Sequence, residues 1–251
     1  MKKVKFKNSR NKSLAGILYE SPGNKVIIMC HGYSSDKLME GRTEALADKL
    51  TASGFNCFAY DFSGCGESED DSLSLTKEVD DLKSAVNFVK ALGYKKIAFY
   101  GHSLGALICL MSFSSEIITM VLSAPLTDSI IDELKATYSK ELFNELREKG
   151  QITLDIKKGY RSSLVIDKQM LSDFEELNQK KILSRVKCPV LIIHGDTGPD
   201  EPVLHAKTIK GIKFLTHESK LEIINGAGHN FENHIQTLTQ LTNDWFRKYF
   251  Q

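Results

Sequence analysis

No stretch of this chain approaches the roughly 20 consecutive apolar residues that a membrane-spanning helix needs. Charge of either sign is equally unremarkable: 33 Lys and Arg stand against 32 Asp and Glu, a formal net charge of +1. The first absence argues against membrane insertion, and the second removes the electrostatic reason to expect nucleic acid or another polyanion as partner. Cysteine is sparse. Cys30, Cys57, Cys65, Cys109 and Cys188 are scattered without metal-ligand spacing, so no metal site is expected. The basic amino end MKKVKFKNSRNKS is followed by LAGILY, too short an apolar run for a signal sequence. An odd number of cysteines without such a signal leads us to expect a reducing, cytoplasmic setting. No G-x-G-x-x-G follows the first strand, which disfavours dinucleotide binding, and no organic cofactor is expected. Repeats, low-complexity tracts and an inter-domain linker are all missing; a homodimer stays open.

What the chain does have is alternation. KVIIMCHG, FNCFAYDFSG, KIAFYG, IITMVLSAP, CPVLIIHG and SKLEIINGAGH read as strands, preceded by two shorter ones, VKFKN and LAGILYE. Between them RTEALADKLTASG, SLTKEVDDLKSAVNFVKALG and LGALICLMSF carry helical spacing, with Val79, Leu82, Val86 and Val89 on one face of the second. HIQTLTQLTNDWFRKYF forms a last helix. Strands that are apolar runs separated by helices indicate a mostly parallel sheet covered on both faces. Residues 128–180 break the rhythm with a Lys- and Glu-rich segment holding two further strand candidates, QITLDI and SSLVID. We read it as an insertion over the carboxyl edge of the sheet, where ligands bind in such folds.

In KIAFYGHSLGALICL a single hydroxyl, Ser103, sits between Gly101 and Gly105 where an apolar strand meets an apolar helix. Small residues there let strand and helix pack closely around a sharply turned Ser exposed at the helix start. An alcohol needs a base, a group that orients the base, and donors for the developing oxyanion. His229 follows the last strand in GAGHNF and is the base expected. His234 opens the final helix, His102 packs beside the Ser, and His31 and His194 end strands; structural roles suit these four. The acid comes from GDTGPDEPV: Asp200 is preferred, Asp196 is the alternative, and Glu201 ranks third. The oxyanion amides expected are those of Leu104, after the nucleophile, and Tyr33, after the strand ending at Gly32.

Ser, acid and His in that chain order, with HGYSSDK, DFSGCGES, GHSLG, HGD and GAGHNF, resemble the α/β-hydrolase superfamily over nearly the whole chain. The likeness is greatest to its serine aminopeptidase/monoglyceride lipase branch, and within that to bacterial feruloyl (cinnamoyl) esterases. The resemblance implies a mostly parallel eight-stranded sheet with helices on both faces, a core of residues 1–127 and 181–251, and a small lid over 128–180. It also implies an acyl-enzyme mechanism without cofactor, through Ser103, His229, an acid, and the Tyr33 and Leu104 amides. Two departures stand out. Ser63 replaces the Arg usual in DFSGCGES, and the acid loop from Gly195 is two residues longer than the family's G-x-x-D-x-x-V. Counting back from Val203 gives Asp200. Lid residues Leu142, Phe143, Tyr160, Leu164, Met170 and Phe174 are expected to offer apolar surface to a small soluble carboxylic ester. A monoacylglycerol lipase, a thioesterase or a catalytically silent binding protein on the same fold are the alternatives.

Overall fold

The computed structural model describes residues 1–156 and 160–251. The chain starts with β1 (Lys2–Lys7), β2 (Ser13–Tyr19) and β3 (Lys25–Cys30), then α1 (Arg42–Ala52), β4 (Asn56–Tyr60) and the two-residue β5 (Ser72–Leu73). Next come α2 (Leu75–Ala91), β6 (Lys96–His102), α3 (Leu104–Met111) and β7 (Ile117–Ser123). The departure from strict alternation contains α4 (Ile131–Thr137), α5 (Lys140–Lys149), β8 (Gln151–Asp155), β9 (Ser163–Asp167), α6 (Gln169–Glu175) and α7 (Gln179–Arg185). It is followed by β10 (Val190–Gly195), α8 (Glu201–Gly211), β11 (Lys220–Ile224) and α9 (Ile235–Tyr249).

Eight strands form one sheet in the order β1-β2-β4-β3-β6-β7-β10-β11. β2 runs against β1 and β4, and the pairs from β4 through β11 are parallel, as the apolar runs predict. β3 shows why both faces must be covered. Val26, Ile28 and Cys30 enter one core with α2 and α3, while Ile27 and Met29 enter the other with α1 and α9. A period-two strand can be apolar throughout only if both its faces are buried. β1 lies at the sheet edge, and its exposed lysines blunt that edge against further pairing.

The two strand candidates in the insertion are β8 and β9, which pair antiparallel with Ile152 opposite Ile166. Their third partner leaves no local signal in the sequence. β5, from the stretch after DFSGCGES, pairs parallel to β9 through Ser72 and Leu73 and completes a small second sheet. Side chains strengthen this attachment: Thr76 donates to Asp173 at 2.8 Å, Lys77 reaches Asp167 at 3.0 Å, and Arg161 donates to the Gly66 carbonyl at 3.0 Å. The insertion is therefore fastened to the segment after β4 by strand pairing and side-chain bonds together. Within the insertion, residues 157–159 lie outside the described residues.

Candidate active site

Ser103 sits between β6 and α3 with φ 53° and ψ −119°, a conformation L-residues rarely adopt. The flanking glycines make it attainable. A methyl on Gly105 would stand 2.3 Å from the His31 carbonyl oxygen, and one on Gly101 would lie 2.6 Å from Ala106 Cα. Both positions therefore need glycine for close approach of strand and helix. On the other side, a methyl at Gly32 would be 3.1 Å from Ser103 Cβ, so the loop after β3 lies directly against the serine. Tyr33 follows Gly32 in that loop. Leu104 opens α3, where first-turn amides have no acceptor within the helix. Both residues line the cavity in front of Ser103.

His229 approaches from the loop after β11. Its Nε2 accepts from the Ser103 hydroxyl at 2.9 Å. Its Nδ1 donates to a carboxylate at 2.8 Å, and that carboxylate is Glu201. Neither favoured aspartate occupies this place. Asp200 is exposed at the N-cap position of α8, and Asp196 accepts from the Gly226 amide at 2.7 Å, tying its loop to the His229 loop. The physical reason is helical. α8 begins at Glu201, with Pro202 in its first turn, and its buried face consists of Glu201, Leu204, Thr208 and Gly211. Adjacent residues on a helix point about 100° apart, so Glu201 turns inward and Asp200 does not. The longer acid loop thus shifts the inward carboxylate by one residue. The signal was present as the spacing 201, 204, 208, 211, obscured by reading GDTGPDEPV as a loop.

Glu201 is 1% exposed and serves two histidines. Its second oxygen accepts from His194 Nδ1 at 2.8 Å, and His194 Nε2 accepts from the Thr208 hydroxyl at 2.9 Å. Burial pushes the Glu201 carboxyl upward, but hydrogen bonds and charge from His194 and His229 outweigh it and bring it down to about 2. The group is thus held as a carboxylate behind His229. His229 is also fixed through its loop, since Arg42 Nη1 donates to the Asn230 carbonyl at 2.9 Å.

The other histidines considered from the sequence, His31, His102 and His234, lie outside this relay. His31 donates from Nδ1 to the Gly32 carbonyl at 2.8 Å, and its Nε2 accepts from the Phe62 amide at 3.2 Å, which joins the Tyr33 loop to the DFSGCGES loop. His102 is buried and bonded to Ser123 at 3.1 Å, and burial holds its imidazole well below the usual range. His234 occupies the N-cap position of α9 without a side-chain capping bond.

Ser103 and His229 open into a cavity of about 510 Å³. Of the insertion residues expected there, Leu142, Phe143, Met170 and Phe174 line it. Tyr160 is 65% exposed and Leu164 is buried in the core; neither reaches the cavity. Among the described residues no cluster of His, Cys, Asp and Glu is placed to hold a metal ion, and no helix is long and apolar enough to cross a membrane.

The profile of the family described as serine aminopeptidase, S33, matches residues 21–235. Serine hydrolase BPHL from Homo sapiens is 29% identical over 197 residues, which cover 70% of this chain and 64% of that protein. The match thus spans less than two thirds of that relative's length. The structure of Est1E from Butyrivibrio proteoclasticus with ferulic acid bound superposes with a TM-score of 0.79 at 19% identity, covering 98% of this chain and 99% of the other. An esterase from Pyrococcus furiosus gives 0.73 at 20% identity, covering 100% and 91%. At these identities the structural likeness is one of fold.

Proposed function

The chain belongs to the serine aminopeptidase S33 family and has an α/β-hydrolase fold, and we propose that it is a serine hydrolase of ester bonds, a carboxylesterase working through Ser103, His229 and Glu201. The observation that carries this reading is the unbroken line of hydrogen bonds from Ser103 through His229 to the buried Glu201 carboxylate. In the first step Ser103 Oγ attacks the ester carbonyl carbon while its proton passes to His229 Nε2. The carbonyl oxygen becomes an oxyanion held by the Leu104 and Tyr33 amides, and Glu201 stabilises the imidazolium. Collapse breaks the bond to the alcohol, which leaves with the proton from His229. Water then adds to the acyl-enzyme by the same route, with His229 taking its proton, and the acid is released as Ser103 regains its hydroxyl.

Residues 128–180 act as a lid in this reading, because the cavity in front of Ser103 is largely walled by them. A feruloyl ester is the second reading, favoured by the likeness in fold to Est1E with ferulic acid bound. The test of esterase action is hydrolysis of p-nitrophenyl butyrate, with labelling by a fluorophosphonate. Turnover that falls at least about 10³-fold in Ser103→Ala, with loss of labelling and an unchanged circular dichroism spectrum, is the expected result. Near-wild-type turnover in the variant removes Ser103 as nucleophile, and a silent, unlabelled wild type points to a binding protein on this fold.

A further inference from the structure

The loop that brings Tyr33 up to Ser103 is held from its far side by a buried lysine. Between Gly32, which lies against Ser103, and Lys37, residues 33–36 are exposed or half-buried, and Ser34 stands in the left-handed region at φ 56°. Met39 and Glu40, further along, share that region at φ 46° and 56°. L-residues adopt it at a cost, so bonds elsewhere must keep the loop in place. Lys37 supplies them. Its amide donates to Asp61 Oδ1 at 2.6 Å, and its ammonium donates to Asp61 Oδ2 at 2.7 Å. The ammonium also donates to Glu67 Oε2 at 2.6 Å, and the Lys37 carbonyl accepts from the Thr43 hydroxyl at 2.7 Å. Asp61 directly follows β4 and is fully buried, so the clamp is anchored on the main sheet. Lys37 is itself buried and does not line the cavity in front of Ser103.

We propose that Lys37 is a positioning residue for the oxyanion site, its ammonium clamped between Asp61 and Glu67 so that the Tyr33 amide faces Ser103 before substrate arrives. The inference rests on the esterase reading above and adds a part to it. Burial disfavours the ammonium, but the bonds to Asp61 and Glu67 outweigh burial and hold it above the usual lysine range. Well-packed apolar side chains in place of a buried ion pair often leave a fold as stable or more so, so stability alone does not call for these charges. Directional bonds from a fixed carboxylate are what a strained loop needs. With the clamp gone, Ser34 relaxes out of the left-handed region and the loop carrying the Tyr33 amide moves with it. The Leu104 amide stays, because it belongs to the start of α3. An oxyanion exists only after Ser103 has attacked, so a misplaced Tyr33 amide penalises the transition state and spares ground-state binding of the ester. Removal of one donor from such a pair costs about 10²- to 10³-fold in kcat, which sets the scale expected here.

Two variants test this. Lys37→Met removes the ammonium, and Lys37→Met with Asp61→Asn also removes the buried carboxylate that would be left unpaired, which protects the fold. Each is assayed on p-nitrophenyl butyrate, with active sites counted by fluorophosphonate titration run to completion. We expect kcat per titrated site to fall by about 30- to 300-fold in both variants, with KM changed by less than about threefold. Inhibition by an alkyl trifluoromethyl ketone reads the oxyanion directly. Ser103 Oγ bonds to its carbonyl carbon, the serine proton passes to His229, and the negative charge settles on the former carbonyl oxygen. Its affinity should weaken by the same factor as kcat/KM. A kcat per site within about threefold of the wild type, or a loss confined to KM or to the titratable fraction, overturns the assignment and leaves the esterase reading intact. An unchanged ketone affinity also overturns it. So does a double variant that circular dichroism shows to be unfolded, because the clamp then serves the fold. Silence of the wild type on the ester removes the esterase reading and this inference with it.

Discussion

Glu201 is the first residue of α8, and its place on the helix's buried face brings its carboxylate to His229 while Asp200, its neighbour, stays in solvent. The difference is measurable. Glu201→Gln is isosteric but replaces the charge behind the imidazole, and kcat should fall by about 10³- to 10⁴-fold with KM little changed. Asp200→Asn should cost no more than about threefold. The reverse ranking would return the acid role to Asp200. His194 is a positioning residue on the far side of the same carboxylate. The loss of one hydrogen bond to a charged group is worth about 10- to 100-fold in kcat, so His194→Ala should slow turnover by that amount. In a Glu201→Gln background the same change should cost less than about threefold, because His194 acts through Glu201. Equal losses in both backgrounds would mean that His194 supports the fold and not the carboxylate. Ser103 and His229 were legible because each follows a strand in a short, glycine-marked turn. Glu201 was not, because its direction depends on where a helix starts, and two prolines around the boundary disguised that start.

Strands and helices of the main sheet could be read from apolar runs because burial on both faces leaves no room for polar interruptions. The insertion was less legible. Its strands alternate over only five residues, and nothing local tells which side faces a cavity; Leu164 and Ile166 share one face of β9, yet only Ile166 lines the space before Ser103. β5 was invisible because two residues carry no period. Long-range ion pairs were equally out of reach. Ser63 occupies the place where the family has Arg, and the structure supplies a guanidinium from elsewhere. Arg10, in the turn between β1 and β2, donates to Ser63 and to Asp81, both at 2.8 Å, and also bonds Asp71 and Asp80. Asp81 is fully buried and also accepts from Asn8 at 2.6 Å and from the Ser63 amide at 2.8 Å. The hairpin is thereby clamped to α2 and to the DFSGCGES loop. Arg10→Met removes the cation facing a buried carboxylate and should destabilise the fold by about 3 kcal/mol in urea denaturation. A change below about 0.5 kcal/mol would show that Asn8 and Ser63 suffice to hold Asp81.

For the molecule as a whole, two buried glutamates make stability depend on pH in opposite directions. Glu201 is held down at about 2 from 4.5, its burial outweighed by His194 and His229. It adds stability above its unfolded value, and that contribution is lost as pH falls from about 4.5 towards 2. Glu78, in the first turn of α2, is the opposite case. Burial, reinforced by the charges of Asp81 and Asp173, raises it from 4.5 to about 8, and its Oε2 has no hydrogen-bond partner among the described residues. Below about pH 4.5 the carboxyl is protonated in both states and folding is unpenalised. Between 4.5 and 8 the unfolded chain releases the proton and the folded one keeps it, so stability declines as pH rises through that window, by an amount on the order of a few kcal/mol. Glu78→Gln keeps the shape and removes the titration. Its melting temperature should match the wild type near pH 5 and exceed it by several degrees at pH 8.5. A constant difference across the two pH values would mean that Glu78 ionises in the folded protein as readily as in the unfolded chain, with its charge met by a rearrangement around Asp81.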